Sequence, residues 1–287
     1  MQFHNFPCSG KCKSIKGKGN IKLHLPMPQT SFKFICLLLQ IKTFLMKIIV
    51  ILVLMVSCFA GCSSQQKSGT RVGDTDSIYT YRKASYDGIG KLYKGREISF
   101  VMGAGASDWL EREERNREEN TELAISNISL QLNTVVADIG AGTGYFSFKI
   151  AARVPKGKVF AVDIQDEMLS ILSTKKLQLR DSVVKIVKAG LQSPNLPDNS
   201  TDIALMVDVY HELEYPHEML QALRKALKPS GKILLIEYRG EDPAVAIKPL
   251  HKTTIAQLNK EMQANNFKLI FTGKFLPTQH FLLYEKI

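Results

Sequence analysis

Residues 135–151 read VVADIGAGTGYFSFKIA. Thr134–Ile139 is an apolar, β-branched-rich run containing one aspartate, Asp138. Gly140-Ala141-Gly142-Thr143-Gly144 is a glycine-rich turn, and Phe146–Val154 has helical spacing and stops at Pro155-Lys156-Gly157. Glycines in such a turn accept left-handed backbone and let the main chain approach a ligand closely, while the first turn of the following helix offers unpaired N–H groups. Strand, glycine turn and helix in this order predict the start of a β-α-β unit.

The alternation continues downstream. Val159–Ile164 reads as a second strand, and Asp166 can cap a helix running to Leu179. Val183–Ala189 is a third strand, the proline-containing loop Gln192–Ser200 follows, and Asp202–Val209 is a fourth. Pro216–Leu227 is a helix stopped by Pro229-Ser230-Gly231, and Lys232–Tyr238 is the fifth strand. Thr254-x-x-Gln257 looks like a capping box for a helix to Asn266. Lys268–Phe275 and His280–Glu285 close the chain, joined by a link too short for a crossover, so the two must be antiparallel. The fold class expected is α/β: a Rossmann-like, doubly wound, seven-stranded sheet, mostly parallel, with an antiparallel last strand.

Asp163 ends the second strand nineteen residues after Gly144, where a carboxylate can accept both hydroxyls of a ribose. A nicotinamide-dependent oxidoreductase is one reading of this pattern. It needs a third glycine at position 145 for close helix–strand packing, and the chain has Tyr145. Asp138 would also sit badly beside a pyrophosphate, whereas it suits a cationic amino-acid ligand. Gly103-Ala104-Gly105 lacks a following strand and acid at the right distance and is read as a plain loop.

The segments VVADIGAGTGYFSFKIA, VFAVDIQDEML, LPDNSTDIALMVDVYHEL and LRKALKPSGKILLIEYR, in this order and spacing, resemble the class I S-adenosylmethionine-dependent methyltransferases. Within them the chain is most similar to the small-molecule group that includes the ubiquinone/menaquinone-biosynthesis C-methyltransferases. The resemblance implies S-adenosyl-L-methionine as cofactor. Gly140, Gly142 and Gly144 would shape the turn beneath its methionine part, and Asp138 would meet its ammonium directly or through water. Asp163 would hold the ribose, Ile164 would pack on the adenine, and Asp208 would line the methionine and substrate side. Where this family often carries a polar pair after the third strand, Gly190 is followed by Leu191 and Gln192, so Gln192 is the candidate contact to the adenine amino group.

Methyl transfer from a sulfonium is an in-line displacement in which positioning supplies much of the catalysis, and a base is needed only for a protonated acceptor. Tyr210-His211-Glu212 follows the fourth strand at the sheet's carboxyl edge, where open α/β sheets bind ligands. His211 or Glu212 is the candidate base and Tyr210 a candidate wall of the acceptor pocket; equally, His211 and Glu212 can cap or pair at a helix start. His251 is a second acceptor-side candidate, with a surface loop as its plainer reading. Glu237 and Arg239 read as a structural ion pair. Asp108–Glu119 reads as one charged helix with Glu111/Arg115 and Glu113/Arg117 at i,i+4, mostly a solvated face; in the family such a helix often lids the cofactor, with Trp109 as a candidate apolar contact. No metal site is expected. A zinc-protease motif would need histidine where Tyr215 stands, and Cys8, Cys12 and His4 complete no zinc pattern.

The chain has 287 residues and a formal charge of +11. Residues 1–61 carry eight lysines and no acid, so the basicity belongs to this segment and no nucleic-acid face is indicated. All five cysteines fall within the first 62 residues, which excludes a disulfide scaffold or thiol nucleophile downstream. Ile48–Gly61 is uncharged and follows Met46-Lys47, and Phe59-Ala60-Gly61-Cys62 resembles a bacterial lipobox. The resemblance implies a lipoprotein signal peptide over residues 46–61 and lipidation at Cys62, which would anchor the body to a membrane outside the cytoplasm. The alternative is an uncleaved membrane anchor. Residues 1–45 form a basic upstream segment, expected to be untranslated if Met46 is the true start. Residues 62–107 are read as a tether and irregular region, and 108–287 as the methyltransferase domain. The expected partners are a small-molecule or lipid-like acceptor and the membrane itself. A noncatalytic binding module that keeps the fold is the rival from another class, motivated by the cytoplasmic origin of S-adenosylmethionine.

Overall fold

A computed structural model describes residues 77–287. The upstream segment, the signal-like stretch and Cys62 lie outside the described residues. Among the described residues, no helix is long and apolar enough to cross a membrane.

Seven strands form one sheet: β4 (Val135–Ile139), β5 (Lys158–Asp163), β6 (Val184–Lys188), β7 (Thr201–Val207), β8 (Leu227–Tyr238), β9 (Phe267–Gly273) and β10 (Gln279–Lys286). Their order is β6-β5-β4-β7-β8-β10-β9. Every pairing is parallel except those of β10, which runs antiparallel to both neighbours. The doubly wound sheet with a reversed last strand is therefore present. The strand order turns back between β4 and β7, and ligands in open α/β sheets bind outside the carboxyl ends at such a point.

Alternation along β4 explains the two layers. Val136 packs in a core with Ile125, Phe146, Ile150 and Leu172, whereas Ala137 and Ile139 face Leu220, Leu223, Leu258 and Met262 on the other side. The first layer holds helices α3 (Thr121–Ser126), α4 (Tyr145–Ala151) and α5 (Asp166–Leu179); the second holds α6 (Pro216–Ala226) and α7 (Ile255–Gln263). Leu220 and Leu223 are wholly buried, and each such side chain contributes about 1.5–3 kcal/mol by leaving water. Thr254 caps α7 by accepting from the Gln257 N–H, but the Gln257 side chain turns to Glu261 and does not close the box.

The region before the sheet departs from expectation twice. Residues 79–99 are not irregular: β1 (Tyr79–Tyr81), β2 (Gly88–Tyr93) and β3 (Arg96–Ser99) make an antiparallel meander. Lys94 and Gly95 both have positive φ between β2 and β3, as a two-residue hairpin turn requires. Residues 108–119 are not one solvated helix but two short ones, α1 (Ser107–Leu110) and α2 (Arg115–Glu119). Arg115 and Glu119 are buried and pair with each other at 2.8 Å. Glu111 reaches the hydroxyl of Thr143 and the ammonium of Lys175 instead. Buried, well-partnered charges override the surface reading that i,i+4 spacing alone suggests. A smaller shift is at β8, which starts at Leu227 and carries Pro229-Ser230-Gly231 within the strand, where the register with β7 slips.

Candidate active site

The carboxyl ends of four neighbouring strands bring Asp138, Asp163, Asp208 and Glu237 to one edge of the sheet. A cavity of about 430 Å³ opens there. One end is formed by the glycine turn with Asp138, Asp163, Ile164 and Tyr145; the other includes His211, Glu212, Lys248 and His251.

The turn between β4 and α4 is built for close approach. Gly140, Gly142 and Gly144 all have positive φ. A Cβ at Gly140 would lie 2.6 Å from the methyl carbons of Val209, and one at Gly144 would lie 2.6 Å from Leu172 and Phe148. The N–H groups of Gly140 and Ala141 both donate to the Val162 carbonyl, locking the turn onto β5.

Asp163 holds this turn from the other side. Its Oδ2 accepts from the Gly142 N–H at 2.8 Å and its Oδ1 from the Gln165 N–H at 2.9 Å, leaving further lone pairs on each oxygen. Burial raises its carboxyl above the usual range, partly opposed by these N–H groups. Asp138 is buried and accepts from the Ser147 hydroxyl at 2.6 Å. Burial pushes it up to about 6, against the Ser147 bond and with help from the Asp163 charge. Asp208, at φ +53°, sits in a conformation rare for a non-glycine residue. Its Oδ2 accepts from Gln279, and its Oδ1 is buried with no hydrogen bond. Burial, then the charges of Glu119 and Glu237, raise it well above the carboxylate range. Arg115 offsets both Asp138 and Asp208, lines the cavity and stacks on the Tyr145 ring at 4.6 Å.

At the other end, Tyr210, His211 and Glu212 form a single 3-10 turn after β7. Tyr210 does not wall the cavity. It is wholly buried in the core, and its hydroxyl donates to Glu261 at 2.9 Å. Consecutive positions of a tight turn point in different directions, so Tyr210 goes inward when His211 and Glu212 face the cavity. Glu237 organises the turn: its Oε1 accepts from the N–H groups of Val209 and Tyr210, and its Oε2 lies 2.6 Å from His211 Nδ1. It does not pair with Arg239, which donates to the carbonyls of Leu276 and Pro277. The meander grips the same turn, since Arg96 and Ser99 both donate to the His211 carbonyl. Glu212 accepts from the Met102 N–H.

His251 is not a detached surface residue. Its Nδ1 lies 3.1 Å from His211 Nε2. Burial would lower the His211 pKa, but the carboxylates of Glu237 and Glu212 outweigh it and hold the pKa above the usual histidine range. Burial would raise Glu212, and His211 and His251 outweigh that and hold it low. Gln192 is not among the residues lining the cavity; Leu191 and Ile164 are, so that wall is apolar. Trp109 and Leu110 also line the cavity.

Residues 137–235 match the family described as "Methyltransferase domain". The ubiquinone/menaquinone biosynthesis C-methyltransferase of Shewanella oneidensis is 34% identical over 108 residues, covering 36% of this chain and 42% of that protein. Its counterpart in Ectopseudomonas mendocina is 30% identical over 105 residues, covering 36% and 41%. The chain thus spans under half the length of these curated relatives. Among solved structures, a SAM dependent methyltransferase from Aquifex aeolicus superposes with a TM-score of 0.62 at 21% identity, over 65% of this chain and all of that one. Residues 137–235 are thus similar to a methyltransferase domain, on a fold shared with the Aquifex aeolicus protein. The glycine turn, Asp138, Asp163 and Asp208 fall inside the matched stretch, as do His211, Glu212 and β8 as far as Leu235. Glu237 itself, His251, Arg115 and the meander lie outside it.

Proposed function

We propose that the protein is an S-adenosylmethionine-dependent methyltransferase acting on a small-molecule or lipid-like acceptor. The observation that carries this reading is the glycine end of the cavity: a positive-φ turn bound to Asp163, beside the buried carboxylate of Asp138. A pyrophosphate would meet Asp138 unfavourably, whereas an ammonium group would relieve the cost of its burial. The donor set fits the cofactor. Asp163 has lone pairs left for two ribose hydroxyls, Ile164 and Leu191 supply an apolar wall for the adenine, and Arg115 stands where a carboxylate group would be drawn. When bound, the cofactor supplies an electrophilic methyl group on a sulfonium. The chain's own contribution is to hold it along the sheet edge, exclude water with Trp109 and Leu110, and present the acceptor from the side of His211 and Glu212.

Glu212, which faces the cavity and is held ionised, is the candidate of those two to take a proton from an acceptor. Glu237 acts through His211 as a positioning residue. The likeness to quinone-biosynthesis C-methyltransferases supports an acceptor with an apolar body.

We further infer that the domain is tethered outside the cytoplasm by a lipid at Cys62, on the strength of the Phe59-Ala60-Gly61-Cys62 stretch. Mass spectrometry of protein from bacterial membranes, with Cys62→Ser alongside, is expected to find an acylated N-terminal cysteine only in the wild type. A mature chain that begins elsewhere overturns the tether.

Calorimetric titration of the full chain in mild detergent with S-adenosylmethionine, S-adenosylhomocysteine and NADH tests the enzyme reading. Micromolar binding of the first two and none of NADH is expected. A folded chain that binds neither sulfur compound overturns the reading in favour of a noncatalytic module.

A further inference from the structure

His211, Glu212 and His251 meet on the acceptor-side wall of the cavity. His211 Nε2 lies 3.1 Å from His251 Nδ1 and 3.7 Å from Glu212 Oε1, and the third side of the triangle, His251 Nδ1 to Glu212 Oε1, is 3.5 Å. A hydrogen bond between the imidazoles accounts for the first side, but the other two exceed hydrogen-bond length. A point about 2 Å from all three atoms exists, which matches the Zn–N and Zn–O bond lengths. We propose that these three side chains bind a divalent transition-metal ion, with zinc the best match to two imidazoles and one carboxylate.

The surroundings support this independently. Metal-ligating histidines usually place their other ring nitrogen on a carboxylate, which fixes the tautomer and the ring. Both histidines here have one: His211 Nδ1 is 2.6 Å from Glu237, and His251 Nε2 is 3.1 Å from Asp87 Oδ2. That Asp87 oxygen is buried and has no aligned hydrogen bond, and Lys248 covers the other oxygen at 2.8 Å. Glu212, Glu237 and Asp87 thus gather three carboxylates around two imidazoles, with Lys248 the ammonium ion-paired to this group. A divalent cation balances that excess of negative charge.

Three protein donors leave at least one coordination position, and the wall they form faces the cavity. An oxygen of the bound molecule would take that position, so the site favours an acceptor bearing a hydroxyl or carbonyl oxygen. This role rests on the methyltransferase reading; the binding of the ion does not.

The test is titration of the chelator-stripped full chain with Co(II), followed by visible absorption, then competition with Zn(II). One Co(II) per chain is expected at the histidine site, with a dissociation constant in the micromolar range or tighter. His251→Ala, at a partly buried position, is expected to weaken binding at least 100-fold, and Asp87→Asn about 10- to 100-fold. Circular dichroism verifies that both variants fold. A folded wild type that takes up less than a tenth of an equivalent overturns the site. Uptake that survives His251→Ala, or shows the near-ultraviolet thiolate bands of the N-terminal cysteines without any histidine-dependent fraction, overturns it as well. S-adenosylhomocysteine titrated into the same samples separates the two claims. Cofactor binding without cobalt sinks the ion site alone, and cobalt without cofactor sinks the methyltransferase reading alone.

Discussion

At the end of the cavity proposed for the cofactor, Gly140, Gly142, Gly144 and Asp138 lie within seven residues, and Asp163 joins them from the adjacent strand. At the end proposed for the acceptor, Asp87, His211, Glu237 and His251 arrive from four separate segments and meet only because the sheet edge, a 3-10 turn and the N-terminal meander converge. The first end is held by backbone: N–H groups on Asp163 and on the Val162 carbonyl. The second is held by side chains on side chains, in a chain of contacts from Glu237 through His211 to His251 and Asp87. Backbone-built sites tolerate little change in residue type, because the φ values are fixed. Side-chain networks tolerate no change in partner, because each buried charge depends on the next.

This contrast can be broken in four places. The largest effect is expected at Gly140→Ala. The left-handed φ and the 2.6 Å approach to Val209 together should cost on the order of 2–3 kcal/mol of stability and reduce cofactor binding beyond detection, read by chemical denaturation and calorimetry. Asp163→Ala comes next. It frees the Gly142 and Gln165 N–H groups and removes the ribose acceptor, so S-adenosylhomocysteine should bind about 100-fold more weakly.

Asp138→Asn separates function from stability. In the folded, ligand-free chain the carboxyl stays protonated up to about pH 6, whereas its usual value is near 4. The folded state therefore binds more protons in that window, and stability from this group falls as pH rises from about 4 to 6. Removing the charge should raise stability at pH 7.5 by on the order of 2 kcal/mol and leave it unchanged at pH 4, while weakening cofactor binding about tenfold. Denaturation at the two pH values checks the sign. The smallest effect is expected at Tyr210→Phe. Loss of the hydroxyl bond to buried Glu261 should lower stability by about 1–2 kcal/mol and leave cofactor affinity within twofold, although its neighbour His211 lines the cavity.

What could be read from the sequence follows the same division. The glycine turn, Asp138 and Asp163 were legible because a strand, a turn and a helix are local and each leaves its own pattern. The seven strands were legible for the same reason, and the reversal of β10 followed from a loop too short to cross over. Glu237 and Arg239 illustrate the limit: two residues apart with opposite charge, they read as an ion pair, but β8 ends at Tyr238 between them, and their real partners lie in other segments. Arg115 and Glu119 carried a surface pattern and were buried by the fold. The meander did leave a signal, Lys94-Gly95 between Tyr93 and Arg96, a two-residue turn between residues of β type. Asp87 left none, and His251, an acceptor-side candidate in the sequence, gave no sign of its contacts with His211 and Asp87, since nothing local records a contact across that distance.

Trp109 is the only tryptophan of the chain and lines the cavity, so its fluorescence reports occupancy of the cofactor end. Titration of the full chain with S-adenosylhomocysteine, for wild type, Asp163→Ala and Tyr210→Phe in parallel, tests the central claim that the glycine turn and Asp163 form a cofactor site. Saturable quenching in the wild type and in Tyr210→Phe, shifted about 100-fold to higher concentration in Asp163→Ala, is the predicted result. Equal titrations in all three, or no response from a folded wild type, would contradict it.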